Sequence, residues 1–145
     1  MGKSQRDKGH NWEREVSRRM REFGIDAKRN VTETQTGNTG DVHVFNSNQE
    51  MIACIQCKNM KSPSVWKAME EAIESCDIHR RLGEEPLPVS IVKRTAKPGK
   101  PVEEYAVMRF EDFCNLIVSY KFGEPIRRYM EMGHMMEVSE PSEMN

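Results

Sequence analysis

The chain has 145 residues, four cysteines, 31% charged residues and a formal net charge of −1. That length suits one domain able to bury a core without disulfide staples, and the charged share fits a soluble globular protein. No apolar stretch approaches the roughly 20 residues of a membrane helix. The first eight residues lack both the apolar core of a secretory signal and the Ser or Thr of a lipidation motif, so the cytoplasm is the expected compartment.

In chain order, residues 1–8 read as a basic arm. Residues 9–23 carry Trp12, Val16, Met20 and Phe23 at helical spacing, with Gly24 as the C-terminal cap. Residues 25–31 form a first strand. A polar loop, 32–40, contains Gly37 and Gly40. It leads into two apolar segments joined by Asn46-Ser47-Asn48-Gln49, a turn-forming cluster that predicts a β-hairpin. Ser62-Pro63-Ser64 opens a helix whose stripe is Val65, Met69, Ala72, Ile73 and Cys76, closed at Leu82-Gly83. Trp66 on this helix is expected in the core. Residues 88–92 and 104–108 are strands either side of a turn at 97–101. Residues 110–122 are a last helix carrying Phe113, Leu116, Ile117 and Tyr120. The order αβββαββα is that of an α/β fold. The tail, 123–145, is acidic and rich in Met, including Met130, Met132, Met135 and Met136, and is expected to be flexible. Thioethers suit soft metals only, so this Met cluster reads as an interaction segment.

Cys54-x-x-Cys57 is the one close pair among the cysteines at 54, 57, 76 and 114. On a single strand its two members point to opposite faces, and no histidine stands at ligand spacing. The cysteines therefore read as buried thiols of a reducing compartment rather than as zinc ligands. The charge is unevenly spread. Lys3, Arg6, Lys8, Arg14, Arg18, Arg19, Arg21, Lys28 and Arg29 dominate the first thirty residues, and acids dominate from Glu124 onward. A basic stretch of this kind is the footprint that a phosphate backbone requires, although a solvated helix face would look the same.

The predicted hairpin concentrates the chemistry. Alternation along its second strand places Gln56 and Lys58 on one face, and pairing brings Asp41, at the head of the first strand, beside Gln56. A carboxylate, an amide oxygen and an ammonium group at one sheet edge suit a hard divalent cation. Asp41 is the first ligand, the Gln56 carbonyl a second, and the backbone carbonyl of Cys57 a further one. Lys58 is placed to orient water or neutralise charge on a phosphate. His43 shares the face of Asp41 and is an accessory candidate. Each residue also has a plain alternative: a turn or cap for Asp41, backbone satisfaction for Gln56, a solvated strand end for Lys58.

The set Asp41 … Gln56-x-Lys58 resembles the signature of the PD-(D/E)XK nuclease superfamily, in the Gln-x-Lys form of Mrr-like enzymes. Upstream, Lys8-Gly9-His10-Asn11-Trp12-Glu13-Arg14 resembles the Lys-Gly-x-x-x-Glu-Arg opening of archaeal Holliday-junction resolvases. The similarity runs from about Lys8 to Lys61. It implies a restriction-endonuclease-like αβββαβ core, a mixed central sheet flanked by helices, here with an added strand and C-terminal helix. It also implies a catalytic glutamate from the first helix. Glu13 then joins Asp41, Gln56 and Lys58 as catalytic residues, and the charge that Gln56 lacks makes Glu13 the more important. Glu15 is a rival, but it faces elsewhere on the helix. Mg²⁺, with Mn²⁺ as a substitute, is the implied cofactor. Branched DNA is the implied partner, cut by a homodimer. Contacts to DNA are expected from Lys3, Arg6, Lys8, Arg14, Arg29, Lys61, Lys93 and Arg94. A repair or Mrr-like nuclease on linear duplex, an RNA-processing nuclease and a non-cleaving DNA-binding module remain open.

Overall fold

In the computed structural model, which describes residues 2–31, 38–62, 64–94 and 98–131, eight elements follow in the order αβββαββα. They are α1 (Lys3–Glu22), β1 (Asp26–Arg29), β2 (Val42–Phe45), β3 (Met51–Met60), α2 (Val65–Arg81), β4 (Leu87–Arg94), β5 (Glu103–Val107) and α3 (Phe110–Glu131). The strands make one five-stranded mixed sheet in the order β1-β2-β3-β4-β5. Only β3 and β4 run parallel, and α2 is the crossover that parallel neighbours need. The β2–β3 turn forms as expected: Asn46 Oδ1 accepts the amides of Asn48 and Glu50, and Gln49 takes a φ of 63°. The two compact units are Met1–Met108, which holds the sheet, and Arg109–Asn145, which holds α3. Among the described residues no helix is long and apolar enough to cross a membrane.

Alternation along the strands divides the sheet into two faces. Val42, Val44, Ile55 and Val89 point toward α1, where Trp12 and Val16 complete a core with Ala27. The Trp12 indole donates to Ile91 O at 3.2 Å, so its one polar atom is satisfied inside. On the other face Cys54 and Met51 meet Cys76 of α2. Ser64 caps α2 by accepting from the Lys67 amide at 3.2 Å.

Several sequence expectations need correction. Helix α1 starts at Lys3, so Lys3, Arg6 and Lys8 stand on its first turns rather than on an arm. Phe23 lies past the last helical turn and is 84% exposed. The buried stripe of α2 is Ala68, Ala72, Ser75, Cys76 and His79, whereas Val65 and Trp66 lie exposed in its first turn. Trp66, expected in the core, is 83% exposed. Helix α3 runs on to Glu131 instead of ending at residue 122, so part of the expected tail is helical. Residues 132–145, with Met132, Met135 and Met136, lie outside the described residues, as do 32–37 of the polar loop.

Candidate functional site

Asp41 enters β2 from a loop whose end is fixed on both sides. Asn30 donates through Nδ2 to Gly40 O at 3.0 Å, and Asn38 donates through Nδ2 to Glu71 O at 2.8 Å. Gly40 itself has a φ of +89°, and a β-carbon there would lie 2.4 Å from Cys54 Sγ, so only glycine fits. The Asp41 amide donates to Ile55 O at 2.8 Å, and its Oδ2 accepts from the Cys57 amide at 2.8 Å. These two bonds clasp the strand on either side of Gln56, which places the carboxylate beside that residue. The Cys57 group that meets Asp41 is thus its N–H.

Burial raises the Asp41 carboxyl from 3.8 to about 6, against the Cys57 amide, which favours the ionised form. The charges of Glu13 and Glu71 push it further up, and Lys58 pulls it back. Gln56 is 8% exposed, and its Oε1 is buried with no hydrogen-bond partner among the described residues. An unmet acceptor of this kind costs on the order of 1–3 kcal/mol. A cation or a donor brought by a ligand would recover that cost.

Lys58 forms an ion pair with Glu71 of α2. Glu71 is absent from the predicted set, although it acts on Asp41 and holds the predicted lysine. Its signal was positional: it sits three residues after Ala68 and four before Ser75, alongside the buried stripe of α2. Glu13 accepts from Arg29 Nε at 3.0 Å, and both side chains are largely covered. It stands close enough to raise the Asp41 pKa. Glu15 faces away, toward Arg19 and Lys93 at 3.7 and 3.5 Å. Among the described residues the carboxylates of Glu13, Asp41 and Glu71 share one electrostatic neighbourhood without closing into a three-ligand cage.

The expected DNA contacts divide into two kinds. Lys3, Lys8 and Lys93 line a groove of about 670 Å³, together with Asp7, Asn11 and Glu15. Lys93 also sits 4.9 Å above the Trp12 ring. Arg6, Arg14 and Lys61 are exposed, Arg14 donating to Asn11 Oδ1 at 2.9 Å. Arg29 and Arg94 lie outside that groove and are paired with Glu13 and Glu103.

His43 does not serve the Asp41 site as an accessory. Its Nε2 donates to Thr39 O at 2.7 Å, and His79 Nε2 approaches the same oxygen at 3.0 Å. Cys54 Sγ lies 3.3 Å from Thr39 O and 3.3 Å from Ser75 Oγ. Burial lowers the His43 pKa, and a hydrogen bond with Cys76 together with burial raises that of the Cys54 thiol. Burial likewise pushes the Cys57 thiol up. Cys54 and Cys57 point to opposite faces, Cys57 packing against the α1 core. The histidines missing from the neighbourhood of Cys54 in the sequence are therefore supplied by β2 and by the end of α2. No known protein family matches this sequence, and no curated protein does so either.

Proposed function

We propose that this chain is a divalent-metal-dependent endonuclease of the PD-(D/E)XK kind that hydrolyses DNA phosphodiesters, acting as a homodimer with four-way junctions as preferred substrate. One observation carries the proposal: the half-buried Asp41 carboxylate stands beside the buried Oε1 of Gln56, which has no hydrogen-bond partner among the described residues, with Lys58 adjoining. Asp41 and Gln56 Oε1 are the two oxygens that hold Mg²⁺ or Mn²⁺. Such an ion is commonly bound by one or two carboxylates with water and substrate phosphate filling the rest, so a closed acid cage is not required. When bound, it supplies charge neutralisation on the phosphate and a water made more acidic. Glu13, held by Arg29, adds negative charge at the outer edge of the site. Lys58 donates to the attacking water or to a phosphate oxygen, and Glu71 positions its ammonium group. The groove lysines Lys3, Lys8 and Lys93 line a path for the backbone, and exposed Trp66 offers a ring on which an unpaired base can stack. Two strands of a junction need two sites. The half-exposed Phe113, Leu116 and Ile117 of α3 give a second copy an apolar surface to pack on.

A second reading has its own support. Glu13 and Lys58 are both already engaged in ion pairs, as in a module that binds DNA without cutting it. Purified chain with Mg²⁺ or Mn²⁺, offered a four-way junction, a linear duplex, single-stranded DNA and RNA in parallel, separates the readings. Metal-dependent cleavage, strongest on the junction, is the expected result. Binding with no cleavage in either metal would leave the binding module. Equal cutting of junction and duplex would remove the resolvase and keep the endonuclease.

A further inference from the structure

Behind the Asp41 site, on the α2 face of the sheet, lies a cluster with different chemistry. The ligating atoms of His43, Cys54 and His79 all lie within 4.8 Å of one another, and all three surround the Thr39 carbonyl. We infer that these three side chains bind a zinc-type cation, with the Thr39 carbonyl oxygen completing four-coordination.

Hydrogen bonding alone accounts poorly for the cluster. A carbonyl oxygen has two lone pairs, yet two ring N–H groups and one thiol converge on this one. The single S–H of Cys54 also has to choose among Thr39 O, Ser75 Oγ and the Cys76 sulfur, because the Ser75 hydroxyl is committed to Ala72 O at 2.6 Å. His79 adds an independent sign. Its Nδ1 faces Glu84 Oε1 at 3.6 Å. A neutral ring that donates from Nε2 to Thr39 turns a bare Nδ1 lone pair toward that carboxylate, acceptor against acceptor. With a cation on Nε2 the proton moves to Nδ1 and points at Glu84. Carboxylate, histidine and metal then stand in the relation by which outer carboxylates orient metal-bound imidazoles.

Size is compatible with modest closure. Three atoms no more than 4.8 Å apart enclose a point no more than about 2.8 Å from each, whereas zinc bonds are ~2.0–2.1 Å to nitrogen and ~2.3 Å to sulfur. Side-chain adjustments of under about 1 Å bring the three together, with Thr39 O, 2.7, 3.0 and 3.3 Å from the same atoms, shifting to one side of the ion as the fourth ligand. Two imidazoles and a thiol are borderline-soft donors, so Mg²⁺ is disfavoured and Zn²⁺ or Co²⁺ favoured. Binding replaces the S–H bond of Cys54 with a metal–thiolate bond and releases that proton to solvent. Burial of Cys54 and His79 makes the site a closed, structural one. It ties β2, β3 and the end of α2 to Thr39, two residues before Asp41, and so fixes the approach to the proposed catalytic carboxylate.

Cobalt(II) reports the site directly. The full chain is stripped with chelator and titrated with Co²⁺ while visible and near-ultraviolet absorption are followed. Saturation near one ion per chain is expected, with tetrahedral visible bands and a thiolate-to-cobalt charge-transfer band, all removed by Zn²⁺. Cys54→Ser loses the charge-transfer band, His79→Gln loses saturable binding, and Glu84→Gln weakens binding roughly 10–100-fold. Cys114→Ser, a thiol on α3, changes nothing. Asp41→Asn keeps the bands whether or not the parent cuts DNA, so this site and the nuclease proposal fail separately. If Cys54→Ser does not fold, His79→Gln and Glu84→Gln carry the test. A folded parent with no charge-transfer band, or a band that survives in Cys54→Ser or His79→Gln, overturns the inference.

Discussion

Toward α1, strand β3 offers Ile55 to a core of Trp12, Val16, Val42, Val44 and Val89. Toward α2, one residue away on either side, it offers Cys54 to Ser75 and Cys76, and carries Gln56 and Lys58, the latter paired with Glu71. The first face gains free energy from apolar burial, which is indifferent to pH and to metals. The second gives some of it up, to a half-buried carboxylate, an unmet amide oxygen and a crowded carbonyl. Such unmet groups cluster where a protein binds something, because the ligand supplies what folding withheld. Substitutions on the two faces should therefore differ in kind as well as in size.

The largest effect should come from the α2 face and leave the folded structure itself in place. Asp41→Asn is expected to lower metal-dependent cleavage by at least ~10²-fold while the far-ultraviolet circular dichroism and DNA affinity stay near those of the parent. Full activity in this variant would end the nuclease proposal. Gln56→Glu, which adds the charge the site lacks, should retain cleavage and hold Mn²⁺ at least as tightly. On the α1 face the outcome reverses. Ile55→Ala removes a side chain that is 2% exposed and should cost ~2–5 kcal/mol in denaturant unfolding, with cleavage per folded molecule unchanged. A specific loss of cleavage in this variant would mean that the two faces are not separable.

The pH dependence of stability sharpens the contrast. The Asp41 carboxyl titrates near 6 in the fold against 3.8 ordinarily, so the folded state holds its proton more tightly than the unfolded one. Its contribution is fully present below the unfolded value and is lost as pH rises through about 6. The loss amounts to about 3 kcal/mol between roughly pH 4 and pH 8. Urea unfolding in chelator should show Asp41→Asn gaining on the parent across that window. Two curves that stay parallel would mean that burial does not raise this carboxyl. Glu71→Gln and Glu13→Gln each remove a repelling charge and should move the midpoint to lower pH. Mg²⁺ should recover the parent's stability at the alkaline end of the window and leave Asp41→Asn unaffected.

Much of this was legible in the sequence where one strand or one turn decides it. Period-two alternation separated Ile55 from Gln56 and Lys58, and the Asn46–Gln49 cluster set the hairpin that clasps Asp41 over Gln56. Helix α2 was harder to read. Its first turn carries the large residues Val65 and Trp66, which pull the expected stripe to one side, although Ala72 and Cys76 were on it and are buried. The stripe that meets the sheet is built of Ala68, Ala72, Ser75 and Cys76, small enough to let the helix approach closely. A hydrophobicity pattern also passes over His79 on that stripe and Glu71 beside it, because both are polar. The β2–β3 hairpin sets His43 opposite Cys54, but His79 comes from the far end of α2, and only the crossover that packs α2 on β3 brings it to them.

The smallest predicted effect tests whether the sheet's reactive face has a substrate track leading to it. Lys3 and Lys8 line the groove between α1 and Lys93, and Arg6 is exposed on the same first turns of the helix. In the proposed function these cations meet phosphates through charge alone, so the expected hold on DNA is indifferent to base sequence. Replacing Lys3, Arg6 and Lys8 together by glutamine should weaken DNA binding equally across sequences. The slope of log affinity against log salt should flatten by roughly 0.9 for every phosphate that is no longer neutralised. The cleavage rate at saturating DNA should hardly change, since none of the three touches Asp41. An unaltered salt slope would place the DNA path elsewhere on the molecule, and a slope that flattens on only one DNA sequence would mean that α1 reads bases as well as phosphates.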